Sequence, residues 1–238
     1  MKKPFWICGK HTVLSAITNP KREILKIVIG KNININFIQT KKKIEQVDNY
    51  FIDKLFKGID INHQNIAALV LPIQEVDIKK ELKILKNILI LESVSDPRNI
   101  GAIIRTAVAF GIESIVIQKK YFNQTSVTML KAASGAFEFI KIFSPINLNQ
   151  TILELKKNNF WVVGFDNLSK KTIYEYTWSN KNAFVFGSEG FGLRNLIQKN
   201  CDQMLRIPIN QKIESLNVSN AVASVLSVYQ SKTIGLTS

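Results

Sequence analysis

The chain is poor in the residue types that build metal centres and covalent scaffolds. It has two cysteines, Cys8 and Cys201, and two histidines, His11 and His63, in 238 residues. Two cysteines are too few for a disulfide framework and show no metal-ligand spacing, so buried thiols in a reducing compartment and no bound metal are expected. His63, beside Gln64, reads as a turn or surface residue rather than a base. No apolar run reaches the roughly 18 residues that a membrane span needs. The basic start Met1-Lys2-Lys3 runs into Pro4, Trp6 and the polar Gly9-Lys10-His11 instead of the apolar core of a signal peptide. A soluble, cytoplasmic protein without a membrane partner is expected. No internal repeat appears.

Arginine is scarce as well, 5 residues against 27 lysines. An arginine kept among so many lysines marks a place where a planar fork is needed. Arg98, Arg105, Arg194 and Arg206 all fall near predicted strand ends. What the chain has in excess is positive charge, a net +14 with pI about 9.7. Clustered lysines gain from neutralising phosphates and releasing counterions, which favours a polyanionic partner. A solvated lysine-rich surface is the other reading of the same number. Residues 1–86 carry 16 Lys+Arg against 8 Asp+Glu, +8, and residues 87–238 carry 16 against 10, +6, so the first part is denser in charge.

Periodicity divides the chain. Residues 1–75 read as a small α/β unit, with a helix at Thr12 to Ile17, a strand at Ile24 to Ile29, a helix at Phe37 to Tyr50 and a strand at Ile66 to Leu71 before Pro72. Residues 76–86 are charged and read as a partly helical linker. Residues 87–238 form a second domain of alternating strands and helices. Its strands are expected at Asn87 to Leu91, Ser114 to Ile117, about Phe139 to Phe143, Phe160 to Phe165, Ala183 to Phe186 and Met204 to Ile207. Its helices are expected at Arg98 to Phe110, near Val127 to Ala133, at Leu148 to Asn158, from about Leu193 and from about Val218. Such alternation implies an α/β fold, a mostly parallel sheet covered on both faces.

Ligands of open α/β sheets bind outside the carboxyl ends of the strands, and three polar clusters fall there. The first is Asp96-Pro97-Arg98-Asn99-Ile100-Gly101 with Arg105. Asp96 and Pro97 start a helix, Asn99 lies in its first turn beside free backbone N–H groups, and Gly101 shares a face with Arg105. The second, Gly187-Ser188-Glu189-Gly190-Phe191-Gly192, is glycine-rich but fits neither nucleotide fingerprint, G-x-G-x-x-G or G-x-x-x-x-G-K-[ST]. A carboxylate at its centre repels phosphate and suits a ligand with an amine or hydroxyls, which counts against an NAD or ATP enzyme. The third, Ser215-Leu216-Asn217, has no nucleophile elbow around Ser215 and no histidine nearby, which counts against hydrolase chemistry. The small residues after it, Ser219, Ala221, Ala223, Ser224 and Ser227, fit either a tight subunit contact or ordinary core packing.

Taken together, Asp96 to Arg105, Phe186 to Gly190, and Ile207-Pro208 with Ser215-Leu216-Asn217-Val218-Ser219 resemble the three ordered motifs of the SpoU (TrmH-type) branch of the SPOUT RNA 2′-O-methyltransferases. The likeness covers roughly 87–232 and includes Ala132-Ala133-Ser134-Gly135-Ala136. Residues 7–13 and His63-Gln64 are similar to the substrate-binding domain of the members that act on a guanosine of 23S ribosomal RNA, except that Asn65 stands where that family usually has glycine. The resemblance implies a C-terminal trefoil knot, a homodimer, S-adenosylmethionine as cofactor and methyl transfer to a ribose 2′-hydroxyl. By position it implies that Gly187, Ile207 and Leu216 line the cofactor pocket. It likewise implies that Asn99, Arg105, Glu189, Ser215 and Asn217 form the catalytic and RNA-binding set. Ribosomal RNA is the expected substrate. Transfer RNA and a non-catalytic RNA-binding role in ribosome assembly are the alternatives.

Overall fold

The computed structural model describes residues 2–31, 33–34 and 38–234. The chain forms two compact units, Met1–Gln74 with Asn123–Phe139, and Glu75–Phe122 with Ile140–Ser238.

The first unit is built on a four-stranded sheet in the order β1-β4-β2-β3, from β1 (Phe5–Cys8), β2 (Ile24–Gly30), β3 (Ile44–Val47) and β4 (Ile66–Val70). β4 pairs antiparallel with β1 and β2, and β3 is parallel to β2. Helices α1 (Lys10–Thr18) and α2 (Asn49–Leu55) bury Thr12, Val13, Ala16 and Ile52. The helix expected at Phe37 to Tyr50 is corrected: Phe37 lies outside the described residues, β3 occupies Ile44–Val47, and the helix begins after Asp48. Pairing decides the strand, because Ile44, Glu45, Gln46 and Val47 lie in register with Ile27 to Gly30 and a Lys26–Glu45 ion pair of 2.7 Å ties the two strands. β1 is too short to show a period and was not anticipated.

Segment Asn123–Phe139 completes this unit. Helix α4 (Val127–Ala132) is capped by Ser126, whose hydroxyl accepts from Met129 N–H, and buries Met129 and Leu130, while Val127 packs on the core of Cys8, Val28, Ile52, Phe56 and Ala67. The 3-10 turn Ala136–Phe139 that follows carries Glu138, paired with Arg22 at 2.7 Å with both side chains out of water.

The second unit carries six strands: β5 (Asn87–Leu91), β6 (Ser114–Ile117), β7 (Lys141–Phe143), β8 (Trp161–Phe165), β9 (Asn182–Phe186) and β10 (Gln203–Leu205). Every neighbouring pair is parallel, in the order β10-β8-β9-β5-β6-β7, as the alternation of elements implies. The central strands β5 and β9 are buried along almost their whole length. Ile78, Leu82 and Leu85, from the stretch expected as a linker, are buried in the same core as Ile88, Val116 and Phe143.

Helix α3 (Pro97–Ala109) starts as expected: Asp96 accepts from Arg98 N–H at 2.9 Å and Pro97 fills the first turn. Gly111, at φ +72°, ends it in a left-handed turn that returns Ile112 N–H to Ala107. Of the two residues expected on one face, Gly101 is buried and Arg105 is exposed. Helices α5 (Leu148–Lys157) and α6 (Asn195–Asn200) flank the sheet, α6 beginning two residues later than expected. The last helix, α7 (Val218–Ile234), packs against α3 and is tied to the sheet through Tyr229, whose hydroxyl accepts from Asn87 Nδ2 at 2.8 Å. Trp178, Phe184 and Tyr229 pack their rings against one another around that point.

Candidate active site

Strands β8, β9 and β10 all deliver their carboxyl ends to one cleft of about 240 Å³. The rings of Phe165 and Phe186, the last residues of β8 and β9, stack at 4.5 Å between centroids and form part of its apolar wall. The turn Gly187–Gly192 forms another side, folded back by a bond from Gly192 N–H to Ser188 O of 2.9 Å. Gly187 cannot carry a side chain, since a Cβ there would stand 2.1 Å from the carbonyl carbon and oxygen of Gly192.

Gly187, Glu189, Ile207, Ser215 and Leu216 all line this cleft. Asn99 and Asn217 join them through Glu189. The Glu189 Oε1 atom accepts from Asn99 Nδ2 at 3.0 Å, from Asn217 Nδ2 at 2.5 Å and from Val218 N–H at 3.2 Å. Asn217 Nδ2 also donates to Asn99 Oδ1 at 3.0 Å. Asn217 Oδ1 in turn accepts from the backbone N–H of Ser219 at 2.9 Å and from its hydroxyl at 2.5 Å, which caps the first turn of α7. One carboxylate thus draws together the starts of α3 and α7 and the glycine turn. Arg105 is exposed on α3 and does not line the cleft.

Asp166 and Asn167 also line the cleft, and the sequence reading passed over them. Asp166 Oδ1 accepts from Leu168 N–H at 2.7 Å, and Asn167 Nδ2 donates to Glu214 O at 2.6 Å, holding the loop that carries Ser215. They directly follow β8, a strand end of the kind where ligands bind, but form no glycine-bearing cluster. Glu92, directly after β5, was missed for the same reason. Its buried carboxylate accepts from the backbone N–H of Arg194 at 2.9 Å and from Arg194 Nε at 2.5 Å, which fixes the exit of the glycine turn.

His63 does not belong to any reactive cluster. Its Nδ1 accepts from Asn65 N–H at 3.0 Å, which makes Nε2 the donor to Asp53, 2.7 Å away, and its ring stacks on Phe56. Asn65 has φ +52°, the left-handed backbone that asparagine tolerates nearly as glycine does, which accounts for the departure at this position. Burial pushes the Cys8 thiol up to about 11 and the Cys201 thiol up to about 12, so both are inert at neutral pH. Among the described residues no helix is long and apolar enough to cross a membrane, and no group of three or more His, Cys, Asp or Glu is placed to hold a metal ion.

An apolar cleft at the carboxyl ends of parallel strands, closed by backbone at Gly187 and bearing carboxylates, fits a small ligand with an aromatic part and an amine or hydroxyls. The SpoU rRNA methylase family model matches residues 86–227, and the model for the RNA 2′-O ribose methyltransferase substrate-binding domain matches residues 6–76. The 23S rRNA (guanosine-2′-O-)-methyltransferase RlmB of Xylella fastidiosa is 30% identical, covering 94% of this chain and 95% of its own. An uncharacterized tRNA/rRNA methyltransferase of Synechocystis is 32% identical over 93% of this chain, which spans 60% of that relative's length. The solved rRNA methyltransferase of Sinorhizobium meliloti with AdoMet bound superposes with a TM-score of 0.81 at 19% identity, covering 96% of this chain and 87% of that one. The model matches take in the sheet, the cleft and the first unit's fold alike, and the chain belongs to the SpoU family of RNA ribose 2′-O-methyltransferases.

Proposed function

We propose that this chain methylates the 2′-hydroxyl of a guanosine ribose in large-subunit ribosomal RNA, with S-adenosylmethionine bound in the cleft formed by the ends of β8, β9 and β10. The convergence of Asn99, Glu189 and Asn217 on that cleft carries the reading. The residues fit the cofactor. Gly187, Ile207 and Leu216 line the cleft and would hold it, the Phe165 and Phe186 rings offer an apolar wall, and the Glu189 and Asp166 carboxylates suit a positively charged ligand with an amine. When bound, the cofactor supplies a methyl group on a sulfonium centre.

The chain's own task is to position the ribose oxygen and help its proton leave, since a neutral hydroxyl is a poor nucleophile. Transfer of that methyl to the ribose oxygen would leave a neutral thioether, and the hydroxyl proton would pass to solvent water at the open side of the cleft. Asn99 and Asn217 hold Glu189 in one orientation, and Ser215 stands at the rim of the same cleft to meet the ribose. An arginine stays protonated in proteins, so the role left to Arg105, exposed on α3 outside the cleft lining, is to bind an RNA phosphate rather than to take the proton.

The trefoil knot and the homodimer belong to the same reading. The loop after β8 is engaged by the chain leaving β10, through Arg206 N–H to Lys171 O at 2.9 Å and Ile173 N–H to Arg206 O at 3.1 Å, and by α7, through Lys232 Nζ to Tyr176 O at 3.0 Å. These crossings support threading of the last segment through that loop.

Mapping 2′-O-methyl sites in cells with and without the gene tests the proposal. Loss of one ribosomal guanosine site is the expected result, loss of a transfer RNA site would move the substrate, and no lost site would sink the enzyme reading. Calorimetry with S-adenosylmethionine separates an enzyme from an RNA-binding assembly protein.

A further inference from the structure

The carboxyl ends of β5 and β6 hold a second polar group that the cofactor cleft does not use. Glu92 is fully buried after β5, and Gln118, 7% exposed, follows β6. Both grip one side chain: Arg194 donates from Nε to Glu92 and from Nη2 to Gln118 Oε1 at 3.4 Å. Its Nη1 has no hydrogen-bond partner among the described residues, and the side chain stays 57% exposed. Beside it, Ser93 adopts φ +57°, a left-handed backbone that is rare for serine and is held only where its surroundings over-determine it. The neighbouring Tyr121 hydroxyl is held below the usual tyrosine range, by the Ser93 side chain first and then by Lys120, with Arg194 adding to the effect. Lys120 Nζ lies over the Tyr121 ring at 4.6 Å from its centre.

Neutralising a buried carboxylate does not by itself explain this arrangement. Where that is the only task, as for Glu138, the arginine is buried with its partner, at 0% and 2% side-chain exposure. Arg194 instead has its inner nitrogens clamped and its outer edge in water. A guanidinium oriented in advance loses little freedom on meeting a phosphate and matches its oxygens with parallel N–H groups. We propose that this corner is an RNA phosphate site, in which Arg194, the Lys120 ammonium and the Tyr121 hydroxyl hold a phosphodiester of the substrate. The proposal rests on the RNA-methylating reading and adds to it a contact outside the three motifs.

The test is binding of the full chain to a fluorescein-labelled large-subunit rRNA transcript from about 50 to 200 mM salt, with methyl transfer to the same transcript measured in parallel. Arg194→Ala and Lys120→Ala are each expected to weaken binding on the order of tenfold and to make the slope of log affinity against log salt shallower by about 0.7–0.9, the signature of one lost phosphate contact. Lys120→Ala keeps its affinity for S-adenosylmethionine, and because Lys120 is exposed it carries the test if Arg194→Ala fails to fold. A purely structural clasp lowers stability without moving the slope. Unchanged slopes in variants of a wild type that methylates the transcript would overturn the site alone. Shallower slopes with no methyl transfer by the wild type would leave the site standing and remove the methylation reading. A wild type that does not bind the transcript would overturn both.

Discussion

Each unit of the molecule has a glutamate that accepts from two or more residues distant in the chain, and the two are put to opposite uses. Glu138, in the first unit, receives Asn19 Nδ2 at 2.7 Å and the Arg22 guanidinium at 2.7 and 3.1 Å, with its side chain 2% exposed. Arg22 is satisfied further by Leu71 O at 2.9 Å. Glu189, in the second unit, receives two asparagine amides and a backbone N–H through one oxygen, and it is exposed at the mouth of a cleft. A carboxylate taken fully out of water must keep its partner ion, so Glu138 is a structural lock. A carboxylate held by neutral amides in contact with solvent keeps a defined orientation and a charge available to a ligand.

The sharpest way to break this contrast is to remove one partner of the lock. Glu138→Ala leaves the Arg22 charge buried and uncompensated, and a loss of about 3–5 kcal/mol of stability in urea unfolding is expected. Replacing both partners together, Arg22→Met with Glu138→Leu, is expected to recover most of that loss. At the other site the effect belongs to activity. Glu189→Gln keeps the size but lets the side chain turn its own amide toward the amides of Asn99 and Asn217, and methyl transfer is expected to fall about a hundredfold with little change in urea midpoint. A stability loss as large as that of Glu138→Ala would make Glu189 a second lock and erase the distinction.

Smaller changes sharpen it. Gly187→Ala forces backbone at Gly192 to move from a Cβ contact of 2.1 Å, so affinity for S-adenosylmethionine by calorimetry is expected to drop about tenfold or more, with the first unit's stability unaffected. The smallest effect is one of pH. The Cys8 and Cys201 thiols, raised by burial to about 11 and about 12 from their ordinary 9.0, stay protonated in the fold where unfolded thiols ionise. Their contribution to stability is therefore full below pH 9.0 and is lost as pH rises toward 11–12. Folded protein is expected to resist a thiol reagent at pH 8 and to react at both cysteines once denatured, which absorbance of the released thiolate probe reports.

Sequence reading went furthest where local chemistry and long periods agree. Asp96 and Pro97 announce α3, the glycines mark the turn after β9, and apolar runs between helices announce a parallel sheet. It failed on short elements whose state is decided by a neighbour. β1 and β3 have four residues each, and β3 is a strand because β2 lies beside it. It placed residues 123–139 in the second domain; the helix there is present, but the segment groups with the first unit through contacts of Val127 and Glu138 with residues 60 or more positions away in the chain.

The amino-acid sequence by itself determined the order of elements in the second unit and the residue types of the site, because capping, turn chemistry and periodicity act over a few residues. Only the tertiary structure decided that Asn99, Glu189 and Asn217, separated by 90 and 28 positions, share hydrogen bonds, and that Glu92 and Gln118 hold Arg194 half in water. Those contacts depend on which strand ends the parallel sheet sets side by side, and no local property of the chain encodes that adjacency.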